Sequence, residues 1–152
     1  MKPWQDEIRR RWGIRHVPLE AIADEGHLWT SRCARTKRVT EGRPRDLYSS
    51  DLLDEFYAFV ELKGLRYAIV SDRYGLHMDD EVMDYYDVHP SSLSASDKRE
   101  LGMLAGRKAA DAGYGSVVFF AHSPLMSLPY FEILGHSQLD VFYVTSLKRR
   151  TA

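Results

Sequence analysis

Two stretches constrain the fold most tightly. Residues 66–71 (RYAIVS) and 116–121 (SVVFFA) are apolar on successive positions rather than on alternate ones. A strand covered on one face alternates apolar and polar side chains; a strand that is apolar throughout has to be covered on both. Residues 27–31 (HLWTS) and 139–145 (LDVFYVT) share the bias toward β-branched and aromatic residues. Helical signals lie between these runs. Ser50 precedes an acidic first turn, and Leu52, Leu53, Phe56, Tyr57, Phe59 and Val60 recur at helical spacing before Gly64. Ser94 with Asp97 has the form of a capping box, followed by an apolar stripe of Leu101, Leu104, Ala105, Ala109 and Ala112 and a stop at Gly113. Gly102 and Gly106 inside that helix each cost about 1 kcal/mol relative to alanine, which predicts close packing on the sheet. Residues 122–135 read as a loop leading into a short helix, with a break at Pro129.

Strands alternating with helices define an α/β chain with a parallel sheet. The expectation is a single three-layer domain of 152 residues, its sheet mostly parallel with four to five strands and helices on both faces. Residues 1–25 read as an N-terminal helical arm, with a helix over 6–12 ended by Gly13. Residues 26–146 form the core, and 147–152 a basic tail.

Composition removes several classes. No run of about 18 apolar residues is present, so no membrane span is expected. The first residues lack the apolar core of a signal peptide, and the expected compartment is the cytoplasm. A single cysteine, Cys33, excludes an internal disulfide and a cysteine-based zinc cage. Net charge is −1, but unevenly spread: residues 1–45 hold 11 Lys/Arg against 6 Asp/Glu, and residues 46–90 hold 3 against 11. A basic first third beside an acidic middle can steer an anionic partner to one face.

Ligands of parallel sheets bind beyond the carboxyl ends of the strands. That rule selects residues 33–48, 72–87, 122–129 and those from 146 on. In the first segment Cys33 lies among Arg35, Lys37, Arg38, Arg43 and Arg45. Neighbouring cations lower a thiol pKa and make it a nucleophile; the competing role is that of a small buried hydrophobe. Lys37 suits a phosphate, and Arg35, Arg38, Arg43 and Arg45 are the candidate nucleic-acid contacts. The second segment follows Ser71 and offers Tyr74, Gly75, Tyr86 and Asp87 together with Asp72, Asp79, Asp80, Glu81 and Asp84. Gly75 suits a turn closed to other residues, and the carboxylates suit a general base. The third holds His122, placed for acid–base work, and Ser123. The chain has no P-loop, H-E-x-x-H, EF-hand or G-x-S-x-G pattern; no metal is assigned, and the cofactor stays open.

The pattern Cys33-x-x-x-Lys37, Asp46-Leu47-Tyr48-Ser49-Ser50, Ile69-Val70-Ser71-x-x-Tyr74-Gly75-Leu76, Glu81-Val82 and Tyr86-Asp87 resembles a group of short uncharacterised α/β proteins. Asp72 and Tyr85 depart from it, standing where a small residue and a proline are usual. The second block is also similar to a segment of the YaaA peroxide-stress family, and a domain of archaeal tRNA-guanine transglycosylase and archaeosine synthase proteins resembles the same group more distantly. His122-Ser123-Pro124-Leu125 is similar to the His-Pro-Ser-Pro-Leu loop of uracil-DNA glycosylases, one residue shorter. These resemblances imply a partner among nucleic acids or nucleotides and a protein that recognises or processes a nucleobase. Cys33, His122 and Asp87 are then the candidate catalytic residues. Lys37, Tyr48, Ser71, Tyr74, Gly75, Tyr86 and Ser123 are the candidate binding residues, with the tyrosines suited to stack on a base. Two other readings stay open. One is a small-molecule hydrolase or transferase using Cys33 or His122 with an acid of residues 72–87; the other is a non-catalytic interaction module.

Overall fold

The structure is a computed structural model that describes residues 2–34 and 39–148. Arg35, Lys37 and Arg38 lie outside the described residues, as does the end of the basic tail from 149 on. The four runs marked by their apolar pattern are strands: β2 (Leu28–Arg32), β4 (Tyr67–Ser71), β7 (Ser116–Phe120) and β8 (Asp140–Val144). They lie side by side in the order β8-β7-β2-β4, all parallel. Two short edge strands extend the sheet to six. β1 (Arg15–His16) adds parallel to β8, and β5 (Gly75–Met78) adds antiparallel to β4. The fold is thus α/β with a mainly parallel sheet, and β2, β4 and β7 are buried nearly throughout.

Register shows how both faces are covered. Trp29 pairs with Tyr67 on one side and Val118 on the other, so these point the same way. Trp29 meets Phe59, and Tyr67 meets Phe56 and Tyr57, all from α3 (Asp51–Lys63). One residue further along, Phe119 and Tyr143 are paired and both meet Phe131 of α5 (Leu128–Gly135) on the opposite face. α1 (Pro3–Trp12) stacks Trp12 on that same Phe131, tying the N-terminal segment to the core. Full burial of side chains such as Leu53, Phe56 and Val60 stabilises by about 1.5–3 kcal/mol each.

The helix ends follow the sequence signals. Ser50 Oγ accepts from Leu53 N at 3.1 Å, and Gly64 closes α3 with φ 64°. Ser94 and Asp97 cap α4 (Ala95–Asp111) reciprocally, at 3.0 and 2.8 Å. Pro129, expected to break a helix, instead occupies the first turn of α5, where its missing N–H is not needed.

The stretch 69–87 differs from one long polar loop. Ser71 Oγ accepts from Arg73 N and Tyr74 N, and the chain reverses at once through Gly75 at φ 73°. β5 then runs back beside β4, carrying Asp79 to the opposite end of the sheet. There its N–H donates to Tyr67 O and its carboxylate pairs with Arg66. The chain returns through β6 (Met83–Asp84), which pairs with β3 (Glu41–Gly42) just before the short helix α2 (Pro44–Leu47). This two-stranded ribbon ties segment 33–48 to segment 72–87.

Candidate functional site

Cys33 and Asp72 follow the last residues of β2 and β4, two neighbouring parallel strands. Their backbones are tied by Cys33 N donating to Val70 O at 2.9 Å. The Cys33 thiol donates to Asp72 Oδ2 at 3.1 Å, and Tyr130 of α5 donates its hydroxyl to the same oxygen at 3.2 Å. Sγ and Oη are 3.4 Å apart, so the three groups form a closed cluster. Cys33 is 4 % exposed and Asp72 5 %. The second oxygen, Asp72 Oδ1, is buried with no hydrogen-bond partner among the described residues.

This cluster forms part of the wall of a cavity of about 530 Å³ at the carboxyl ends of the strands. Arg32 lines it from β2, and Tyr85, Tyr86, Asp87 and His89 line it from the segment returning past β6. Arg32 Nε is also buried without a partner among the described residues. Two residues that line one cavity, Asp72 and Arg32, thus each carry a buried unmet polar atom, an acceptor and a donor, where most buried polar atoms of a folded protein would be paired.

Burial dominates the electrostatics. It raises the Asp72 pKa above the ordinary carboxylate value, opposed by the hydrogen bonds from Cys33 and Tyr130 and by nearby His89. Burial, reinforced by the negative charge of Asp72, pushes the Cys33 thiol up to about 12. The expected lowering by neighbouring cations is therefore reversed: what faces this sulfur is a carboxylate. A thiol with pKa near 12 is thiolate at roughly one part in 100,000 at pH 7, and it acts as a hydrogen-bond donor.

The other expected residues divide into three groups. Asp87 and Tyr86 line the cavity with Cys33. Ser71 and Tyr48 stand behind it: Ser71 Oγ and Tyr86 Oη are hydrogen-bonded at 2.7 Å, and the Tyr48 ring packs edge-on to Tyr86. Tyr74 buttresses Tyr86 edge-on and donates its hydroxyl to Asp84 O at 2.8 Å, so it supports the wall without lining it.

A third group lies elsewhere. Gly75 serves the hairpin, pressed against the backbone of α4. His122 is exposed and bonded to Glu55 of α3 at 2.6 Å, and Ser123 is exposed beside it. Alternation along β7 explains the histidine: with Phe119 directed at α5, His122 falls on the α3 side of the sheet, away from Tyr130. Arg45 pairs with Glu61 over the Tyr57 ring, and exposed Arg43 begins α2. Asp79 and Asp80 pair with Arg66 at the far end of the sheet.

Sequence reasoning passed over Arg32, Tyr130 and His89, and named Asp72 as one of several acids and as a departure from the family pattern. Asp72 had a signal of its own, a charge just past the end of a buried strand; Tyr130 had none.

Among the described residues no helix is long and apolar enough to cross a membrane. No curated protein and no solved structure matches the chain. One family model does, described as a family of unknown function, DUF6884, over residues 31–122. That match runs from the end of β2 to just past β7, includes Cys33, Asp72, Tyr86 and Asp87, and covers more than half of the sequence. The chain belongs to this family of unknown function, DUF6884.

Proposed function

We propose that the protein recognises a nucleobase in the cavity beside Asp72. The observation that carries this reading is a cavity-lining aspartate whose buried carboxyl has one unmet oxygen. Heterocyclic bases present N–H donors beside carbonyl or ring-nitrogen acceptors on one edge, complementary to a carboxylate and an arginine. Arg32 supplies the donor, and exposed Tyr85 an aromatic face for stacking. The volume of about 530 Å³ is within the range of small-molecule sites. The resemblance of the sequence pattern to a group distantly related to a domain of archaeal tRNA-guanine transglycosylase proteins favours the same chemistry.

Whether the base arrives free, as a nucleoside or in a strand is a separate matter. The basic first third is less cationic in space than in sequence: Arg9, Arg10 and Arg11 pair with Asp6 or Glu7, and Arg45 with Glu61. The test is calorimetric titration with free bases, nucleosides and single-stranded oligonucleotides, for the wild type and Asp72→Asn. At least one base should bind, and the substitution should weaken it by about 10–100-fold, the range of a hydrogen bond to a charged group. A strand-borne base should bind with an affinity that falls steeply with salt; a free base should not. Absence of binding across the panel, or equal binding by the Asn variant, would overturn the reading. A nucleophilic role for Cys33 is disfavoured by its burial and raised pKa.

A further inference from the structure

The carboxyl of Asp72 is held from two sides. Cys33 has one proton and Tyr130 has one, and both point at Oδ2, at 3.1 and 3.2 Å. The donors come from different elements, the residue just past β2 and the first turn of α5. Such a pair fixes the plane of the carboxyl and occupies the lone pairs of Oδ2. Any further hydrogen bond must then be made by Oδ1.

Resting on the reading of Asp72 as the base-recognising group, we infer that Cys33 is a positioning residue: with Tyr130 it clamps Asp72 as an oriented carboxylate, so the cavity takes a ligand that donates an N–H and releases it when the carboxyl is protonated. An ionised carboxylate only accepts hydrogen bonds. Protonation would have to occur at Oδ1, turning an acceptor into a donor facing the ligand's own N–H. The groups around the carboxyl carry charges of both signs. Arg32 ends β2 and the uncharged thiol follows it; Asp87 and His89 stand on the segment past β6; Arg73, Asp97 and Glu100 line a second cavity that shares Asp72 with the first. Only Cys33 and Tyr130 among the described residues bond the carboxyl directly.

The experiment compares Cys33→Val, which keeps the volume and removes the donor, with Cys33→Ser, which keeps a donor. The probe is the base bound best by the wild type, titrated across pH. Cys33→Val should lose affinity by about tenfold and move the pH midpoint for release upward; Cys33→Ser should stay near the wild type on both. Tyr130→Phe, removing the other donor, should move the midpoint the same way. Equal affinity and midpoint in Cys33→Val, or a serine variant as impaired as the valine one, would overturn the clamp. Should no base bind the wild type, the preceding reading fails and the clamp is still decided by NMR titration of the Asp72 carboxyl in ligand-free protein. A midpoint raised by Cys33→Val supports the clamp; an unchanged midpoint overturns it.

Discussion

A carboxyl group shut away from water with one oxygen unmet is held at a cost to stability, and Asp72 is such a group. Its folded pKa is raised by burial, so the folded state keeps this proton to higher pH than the unfolded chain. The contribution is most favourable at acid pH and is lost as pH rises from the ordinary carboxylate value through the raised one. Once the carboxyl ionises, its buried charge works against folding. Asp72→Asn should therefore stabilise the protein at pH 7, by about 1 kcal/mol on the scale of relieved functional strain, and the gain should vanish in acid. Urea melts at pH 7 and pH 3 would show it; a loss of stability at pH 7 would make Asp72 a structural node. At this scale the sequence was partly legible. Cys33, Tyr86 and Asp87 could be placed at one sheet edge because each lies just beyond a strand or in a motif. Tyr130 could not, because it reaches Asp72 from a helix of the opposite layer, at a sequence distance without periodic signature. His122 passed the same end-of-strand rule as Cys33, and side-chain alternation sent it to the other face.

Between elements, the tightest contacts are made by glycines. The sequence pointed to close packing at Gly102 and Gly106, and the partner is the end of α5 rather than the sheet. A Cβ at Gly106 would lie 2.1 Å from Ser137 O, and one at Gly102 would lie 2.2 Å from Ile133 O. Backbone carbonyls cannot step aside as side chains do, so the α4–α5 spacing would have to change. Gly106→Ala should destabilise by about 1–3 kcal/mol through overpacking, despite the gain in helix propensity. Met103→Ala on the exposed side of the same helix should be near neutral. Chemical denaturation separates the two; a stabilised Gly106→Ala would mean that the helices are free to part. Because α5 carries Tyr130, the same substitution should also disturb the cluster at Asp72. Helix existence and caps were readable because local residues set them, through Ser50, Gly64, Ser94 and Asp97. The partner of a glycine face was not, because it depends on the layer order. The turn at Gly75 was expected, but the strand that follows it was hidden for a related reason: a β5 edge strand of four residues, GLHM, carries little pattern of its own.

Across the whole molecule one polar network joins parts that the sequence keeps apart. His77 of β5 is fully buried, with Nε2 donating to Glu81 O at 2.7 Å. Nδ1 therefore accepts from the Tyr48 hydroxyl at 3.1 Å, which ties β5 to the lead-in of α3. Lys108 of α4 donates to Leu76 O and to the Glu81 carboxylate. Tyr48 in turn packs on Tyr86, which lines the cavity. The hairpin, two helices and the cavity wall share this network. Burial, then the charge of Lys108, lowers the His77 pKa, with Glu81 opposing. A histidine that is harder to protonate when folded contributes stability in full above its ordinary pKa near 6.5, and loses it as pH falls from there toward the lowered folded value. Stability should accordingly decline below pH 6.5, with a slope of at most about 1.4 kcal/mol per pH unit from this one proton. His16 and His27 are also lowered by burial and add to the decline, so His77 has to be isolated by substitution. His77→Gln keeps a hydrogen-bonding side chain of comparable reach and cannot titrate. It should lower stability at pH 7.5 yet flatten the fall between pH 6.5 and 5. Urea midpoints across that range decide the matter, and a slope unchanged by the substitution would assign the acid sensitivity to the other histidines. If the network also governs the cavity wall, acid should loosen Tyr86 before the sheet melts, as earlier amide exchange in the segment past β6 than in β4 or β7.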